Sequence, residues 1–283
     1  MTQPESFTRR RVLRDALALT AVAGLGAGCA TEASPPDAGL RAAIDGPQRS
    51  PANRARDGAR HPYETLRFFG LAPTQTVVEI SPGGGWYTEI LAPYLRADGK
   101  LYAAHYPADD ADEGRRKSRA AFEARLKQRP EVYGRVAVGS LPDATHAAIG
   151  LPPPGSADRV LTFRNVHNWI EAGTVDATFA SFHALLKPGG VLGVEEHRAP
   201  AGKPLDWIVK NGYVPEQLVI ERATTAGFRL AGRSEVNANP RDTRDHEGGV
   251  WSLPPTLQRG AVERERYVAI GESDRMTLRF VKG

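Results

Sequence analysis

The sequence predicts an α/β domain with a mostly parallel, doubly wound sheet. Three observations carry that expectation. In residues 77–91, VVEISPGGGWYTEIL, a β-branched apolar run ends in an acidic residue, passes through Ser-Pro-Gly-Gly-Gly and re-emerges as an amphipathic helix. Short apolar runs then keep alternating with helical stretches, the pattern of parallel strands covered on both faces. Finally, RMTLRFV at residues 275–281 alternates with period two, so one of its faces is buried and the other wet.

The front end reads as an address. Thr8-Arg9-Arg10-Arg11-Val12-Leu13-Arg14 precedes an apolar run at residues 16–27, the length of a signal-peptide core and too short for a stable membrane span. The paired arginines resemble a twin-arginine export signal, which implies a periplasmic location. Leu-Gly-Ala-Gly-Cys29 resembles a lipoprotein processing site, although Gly26 stands where that pattern has a large aliphatic residue. Cys29 is thus either a lipid anchor or part of a segment that is cut away. The expected division is a signal at 1–29, a tether at 30–39 and a folded domain at 40–283.

Composition narrows the function classes. The chain of 283 residues, 41% hydrophobic, can bury a full core. A net charge of +4 with no basic stripe interleaved with aromatics argues against a nucleic-acid partner. The single cysteine excludes an intrachain disulfide and a cysteine-based zinc site.

Within the domain, Arg49, Arg54, Arg56, Asp57 and Arg60 form a charged arm. It either clamps itself to the domain by salt bridges or reaches a ligand carboxylate through bidentate pairing. A helix opens at Pro62 and stops at Gly70. In the glycine turn, residues without Cβ atoms let a ligand approach the backbone, or simply supply turn geometry. Strands are expected at 101–104, 135–138, 158–163, 191–195 and 229–236, with helices at 113–128, 175–186 and 215–226. Some forty residues rich in Asn, Pro, Asp and Gly precede the last strand and are expected to form a lid or rim.

Together these pieces resemble the class I S-adenosylmethionine-dependent methyltransferases from about Pro62 onward, and within them a bacterial group carrying the same Pro-Gly-Gly-Gly-Trp-Tyr loop. The resemblance rests on Glu79 to Gly85, on Leu185-Leu186-Lys187-Pro188-Gly189-Gly190-Val191-Leu192, on Ala226-Gly227-Phe228 and on the closing strand. It implies a Rossmann-like, seven-stranded sheet with an antiparallel last strand, S-adenosylmethionine as cofactor and a small-molecule methyl acceptor. It further implies that Ser81, Gly83, Gly84 and Gly85 approach the cofactor, that Glu79 organises the loop and that Trp86 and Tyr87 open the helix beside it. His105 stands where the family has the acid that grips the ribose, unless Asp109 or Asp110 substitutes. Gly139-Ser140 stands near the adenine position, with Asp143 close behind. Arg164, Asn165 and His167 shape the mouth between cofactor and acceptor, and His167 is either a general base or a packing histidine.

Two alternatives remain at this level. Ser81 and His105 depart from the family pattern, which fits an exported binding or accessory protein that has kept the fold without the activity. A His167/His197/carboxylate set could hold a divalent metal, whereas His105, across the point where strand order reverses, should not join it.

Overall fold

The computed structural model describes residues 37–143 and 147–283; the export-type signal and Cys29 lie outside these. Among the described residues no helix is long and apolar enough to cross a membrane.

The domain opens with α1 (Ala38–Asp45), followed by the short turns of helix α2 (Pro51–Arg54) and α3 (Asp57–Arg60) and by α4 (Pro62–Phe68). Asp37 caps α1 by accepting from Leu40 N at 2.8 Å, so the helix starts inside the stretch expected to be tether. Small Ala38 and Gly39 look like linker, but Leu40, Ala43 and Ile44 are buried and pin them down. Strand β1 (Thr76–Ile80) leads through the glycine turn into α5 (Thr88–Leu95), then β2 (Lys100–His105), α6 (Glu113–Gln128), α7 (Pro130–Tyr133) and β3 (Ala137–Ser140). The second half runs β4 (Ala157–Phe163), α8 (Val166–Glu171), α9 (Val175–Leu185), β5 (Leu186–His197), α10 (Leu205–Asn211), α11 (Glu216–Thr225), β6 (Phe228–Ser234), α12 (Arg264–Ile270) and β7 (Arg275–Lys282).

The seven strands lie in the order β3-β2-β1-β4-β5-β7-β6, with β7 antiparallel to both neighbours. Strand order therefore reverses between β1 and β4, where ligands of such sheets sit beyond the carboxyl ends. Two expected boundaries moved. β3 begins two residues late, and the Lys-Pro-Gly-Gly turn belongs to β5 because Leu186 already pairs with Ala157 before a register shift.

Alternation along β1 builds two cores. Val78 and Ile80 face a cluster containing Phe179, Phe182 and Met276. Val77 faces another with Leu66, Phe69, Ile90 and Phe122. Glu79 shares the face of Val77, and its carboxylate accepts from Thr88 Oγ1 at 2.6 Å, tying the strand to the first residue of α5. Burial pushes the Glu79 carboxyl up to about 7, only partly opposed by hydrogen bonds from Thr88.

Candidate functional site

Two cavities open at the carboxyl edge of the sheet. The larger, of about 550 Å³, is bounded by the ends of β1, β2, β3 and β4. Its wall includes Ser81, His105, Asp110, Asp143, Asn165 and Trp169. The smaller, of about 210 Å³, is walled by Arg60, Arg164, His167, His197 and Trp251. The turn between β4 and α8 divides them: Asn165 and Asn168 face the first, Arg164 and His167 the second.

The turn after β1 shapes the first cavity. Ser81 N donates to Ala104 O at 2.8 Å, and the chain turns through positive φ at Ser81 (48°), Gly83 (57°) and Gly85 (81°). For Ser81 that conformation costs on the order of 1 kcal/mol. A Cβ on Gly83 or Gly84 would meet nothing within 4 Å, and both glycines are exposed beside Ser81, outside the cavity wall itself. Asn165 spans the reversal of strand order, donating to Ile80 O (3.2 Å) and Thr162 Oγ1 (3.1 Å).

His105 lies on the wall but cannot accept a ribose hydroxyl. Its Nδ1 already accepts from Tyr106 N at 2.8 Å, so the proton sits on Nε2, which is buried without a well-formed hydrogen bond. Burial and the Arg119 charge pull its pKa down to about 4, with a weak backbone interaction at Gly83 opposing them. Asp110 brings a carboxylate to the same wall, anchored by Asp112 N at 2.9 Å.

Several expected cofactor contacts lie elsewhere. Trp86 donates from Nε1 to Asn53 O (3.1 Å) beneath Arg49 and Arg60, and Tyr87 stacks on Phe163 and donates to Glu195 at 3.1 Å. Both are apolar enough for the core face of α5 to claim them. Ser140 is buried and backbone-paired with Ile149, which leaves residues 141–143 at the cavity. Glu79, Gly84 and Gly85 shape the turn from behind, and Arg164 belongs to the second cavity.

The second cavity is built from side-chain charge. Glu195 and Glu196 are adjacent on β5 and point to opposite faces, both fully buried. Glu195 accepts from Arg275 Nη1 (2.9 Å), Arg164 Nη1 (3.1 Å) and Tyr87. Burial alone would raise its pKa, but Arg275, Arg164 and Arg60 hold it below the usual carboxylate value. Glu272, with Arg60 at 3.0 Å and Arg56 at 2.7 Å, is likewise held down, to about 2, by Arg60 and Arg275 against the cost of burial. The arginine arm thus divides its work. Arg49 and Arg56 clamp it to Asp57 and Glu272, while Arg60 reaches the cavity wall.

On the other face Glu196 accepts from Val166 N, His197 N (2.8 Å) and His167 Nδ1 (3.1 Å). A carboxylate on Nδ1 fixes the tautomer and leaves Nε2 of His167 as the ring's acceptor. His197 Nδ1 meets Ser273 Oγ at 2.6 Å, and burial, then His167 and Arg164, depress its pKa well below the ordinary histidine value.

His167, Glu196 and His197 place ligand-type atoms within 4.8 Å of one another. Two features disfavour a cation there. Glu196 already spends its oxygens on three donors. A cation there would also meet like charge from the guanidinium groups on the same cavity wall. Arg60 and Arg164 share the cavity, so its chemistry suits an anion.

The rim comes from the long segment before β7, as expected. Val250, Trp251, Pro254, Pro255 and Thr256 cover the second cavity and leave the first uncovered. Sequence reasoning missed Glu272, Ser273 and Trp251, because only the antiparallel return of β7 and the folding of that segment bring them to the edge.

No protein-family model matches this sequence, and no curated protein matches it. Solved structures do. The chain superposes on phosphoethanolamine N-methyltransferase 2 of Haemonchus contortus, solved with S-adenosyl-L-methionine, with TM-score 0.53 and 16% identity over 86% of this chain and 60% of that one. The [4+2]-cyclase SpnF gives TM-score 0.53 and 15% identity over 79% and 80% of the two chains. A protein from Galdieria sulphuraria, described as a sarcosine dimethylglycine methyltransferase, gives 0.51 and 12% over 81% and 85%. A cyclase among these neighbours illustrates that a fold hosts more than one chemistry. The strand order, the antiparallel β7 and these superpositions together establish that the chain has the class I methyltransferase fold.

Proposed function

We propose that this protein binds S-adenosylmethionine in the larger cavity and transfers its methyl group to a small-molecule acceptor in the smaller one. The observation that carries this reading is the partition itself. The end of β4 and the first turn of α8 present Asn165 to a nucleoside-sized cavity and His167 to the smaller one. A volume near 550 Å³ lies within the roughly 300–1,000 Å³ of small-molecule sites.

The residues present fit that cofactor. The turn at Ser81 brings backbone to the cavity for the amino-acid and ribose parts, and the Asp110 carboxylate can accept from ribose hydroxyls where His105 cannot. When bound, the cofactor supplies an electrophilic sulfonium methyl and leaves as a neutral thioether. The chain's own part is chiefly positioning, because the methyl and the acceptor must lie in line. His167, held by Glu196, takes the acceptor's hydroxyl proton at Nε2 as the new O–CH₃ bond forms.

The export-type N-terminus supports a periplasmic, membrane-anchored location as part of the same proposal, which requires methyl donor outside the cytoplasm. Calorimetric titration with S-adenosylmethionine and its demethylated product tests the cofactor half. Micromolar binding of both is expected. No binding up to about 1 mM, weaker than roughly −4 kcal/mol, would leave an exported protein that uses the fold for binding other ligands.

A further inference from the structure

We propose that the smaller cavity recognises a small hydroxylated organic carboxylate, whose carboxylate is gripped by Arg60 and Arg164 while its hydroxyl faces His167. This deepens the methyl-transfer reading and rests on it for the identity of the bound molecule as acceptor.

The argument begins with unused donors. Arg60 is 3% exposed, yet its hydrogen bonds all run through Nε to Glu272. Both of its Nη groups lack a hydrogen-bond acceptor among the described residues. Its guanidinium lies 4.7 Å over the Trp86 ring, a contact that holds the plane without consuming an N–H. Arg164 commits a single Nη to Glu195 and has its other nitrogens to spare. Both line the cavity. Guanidinium nitrogens that face a cavity without a protein acceptor are free to bind a ligand there, and a planar oxyanion satisfies them in pairs.

Charge sets the valence of the ligand. Around the cavity Arg56, Arg60, Arg164 and Arg275 face Glu195, Glu196 and Glu272. With neutral imidazoles one positive charge is left in surplus, which a monoanion cancels. Size and the opposite wall set the rest. About 210 Å³ suits a ligand smaller than a drug-sized one. Val250, Trp251, Pro254 and Pro255 offer a compact or flat body an apolar surface, and His167, its ring 6.2 Å from that of Trp251, is at hand for a hydroxyl.

The test uses the purified full chain and 4-hydroxybenzoate as probe, titrated with and without saturating S-adenosylhomocysteine. Expected are binding in both conditions and a loss of roughly tenfold or more with phenol, which keeps the ring and lacks the carboxylate. Arg60→Gln should produce the same loss. Thr256→Trp, on the exposed rim, should block the probe while leaving the buried charges untouched. Equal affinity for phenol, indifference to both variants or a preference for inorganic phosphate would overturn the carboxylate assignment. Competition between probe and S-adenosylhomocysteine would overturn it too, by placing the anion in the cofactor cavity. Probe binding without cofactor binding would instead remove the methyl-transfer reading and leave an anion site.

Discussion

The two cavities share one sheet edge and are built on opposite principles. In the larger one the turn after β1 brings backbone to the wall at Ser81, where φ is positive, and the rest of the lining is mostly uncharged and apolar, from Ala104, Pro107, Leu141, Pro142 and Trp169. In the smaller one the backbone recedes and buried ions do the shaping, with Glu195, Glu272, Arg60 and Arg275 all at most 8% exposed. A backbone-lined site tolerates substitution nearby and discriminates by shape. An ion-lined site discriminates by charge, and its parts also hold the fold together.

The sharpest test of that contrast is His167→Ala. It should lower turnover by about 10²- to 10⁴-fold, the range for a positioned base, with S-adenosylmethionine affinity unchanged by calorimetry. Equal loss in both would erase the partition. Next in size is Glu195→Ala, which strands Arg275 and Arg164 without their shared carboxylate. Denaturant unfolding should show about 3–5 kcal/mol of lost stability, whereas a mutation in the backbone-lined wall such as Ser81→Gly should leave stability the same or slightly higher.

Acidification separates two groups around the larger cavity. His105 has its folded pKa depressed from 6.5 to about 4, so the unfolded chain binds more protons in that window and stability falls as pH drops through it. Glu79 is raised from 4.5 to about 7, so its buried charge is relieved and stability rises as pH drops from 7 to 4.5. Each contribution is on the order of 3 kcal/mol at most. Melting curves of Glu79→Gln should therefore fall more steeply with acid than the parent's, and those of His105→Gln less steeply; the same slope for both would refute these environments. Asp110→Asn should weaken S-adenosylmethionine by roughly ten- to a hundredfold and leave anion binding in the smaller cavity alone. Smallest of all, dialysis against a chelator should change neither activity nor melting temperature, and stoichiometric metal in the purified protein would reverse the preference for an anion at His167 and His197.

Much of the fold was legible because local patterns carried it. The helix at residues 113–128 was placed without error, since Asp112 caps it and the apolar Phe122 and Leu126 lie one turn apart. The glycine turn and the ends of β1, β2 and β4 were also legible, because turn chemistry is local. Trp86 and Tyr87, in the turn just ahead of α5, are buried in the core, and proximity in sequence to a ligand loop says nothing about the direction a side chain takes there. Glu272 and Arg60 could not be connected at all: 212 residues separate them, and no periodicity speaks across that distance. The separation of the histidines was readable from topology alone. His167 and His197 do meet, with ring centroids 5.4 Å apart, while His105 lies in the other cavity.

That 212-residue link has a temporal meaning. Arg56 and Arg60 are synthesised well before the Glu272 and Arg275 that hold them, with Ala59 O accepting from Arg275. Closing so long a loop is slow and yields nothing until both ends exist. The charged wall of the smaller cavity therefore forms late in folding, after the local turns and helices around the larger one, and a chain cut before Glu272 would lack the carboxylate that holds Arg56 and Arg60.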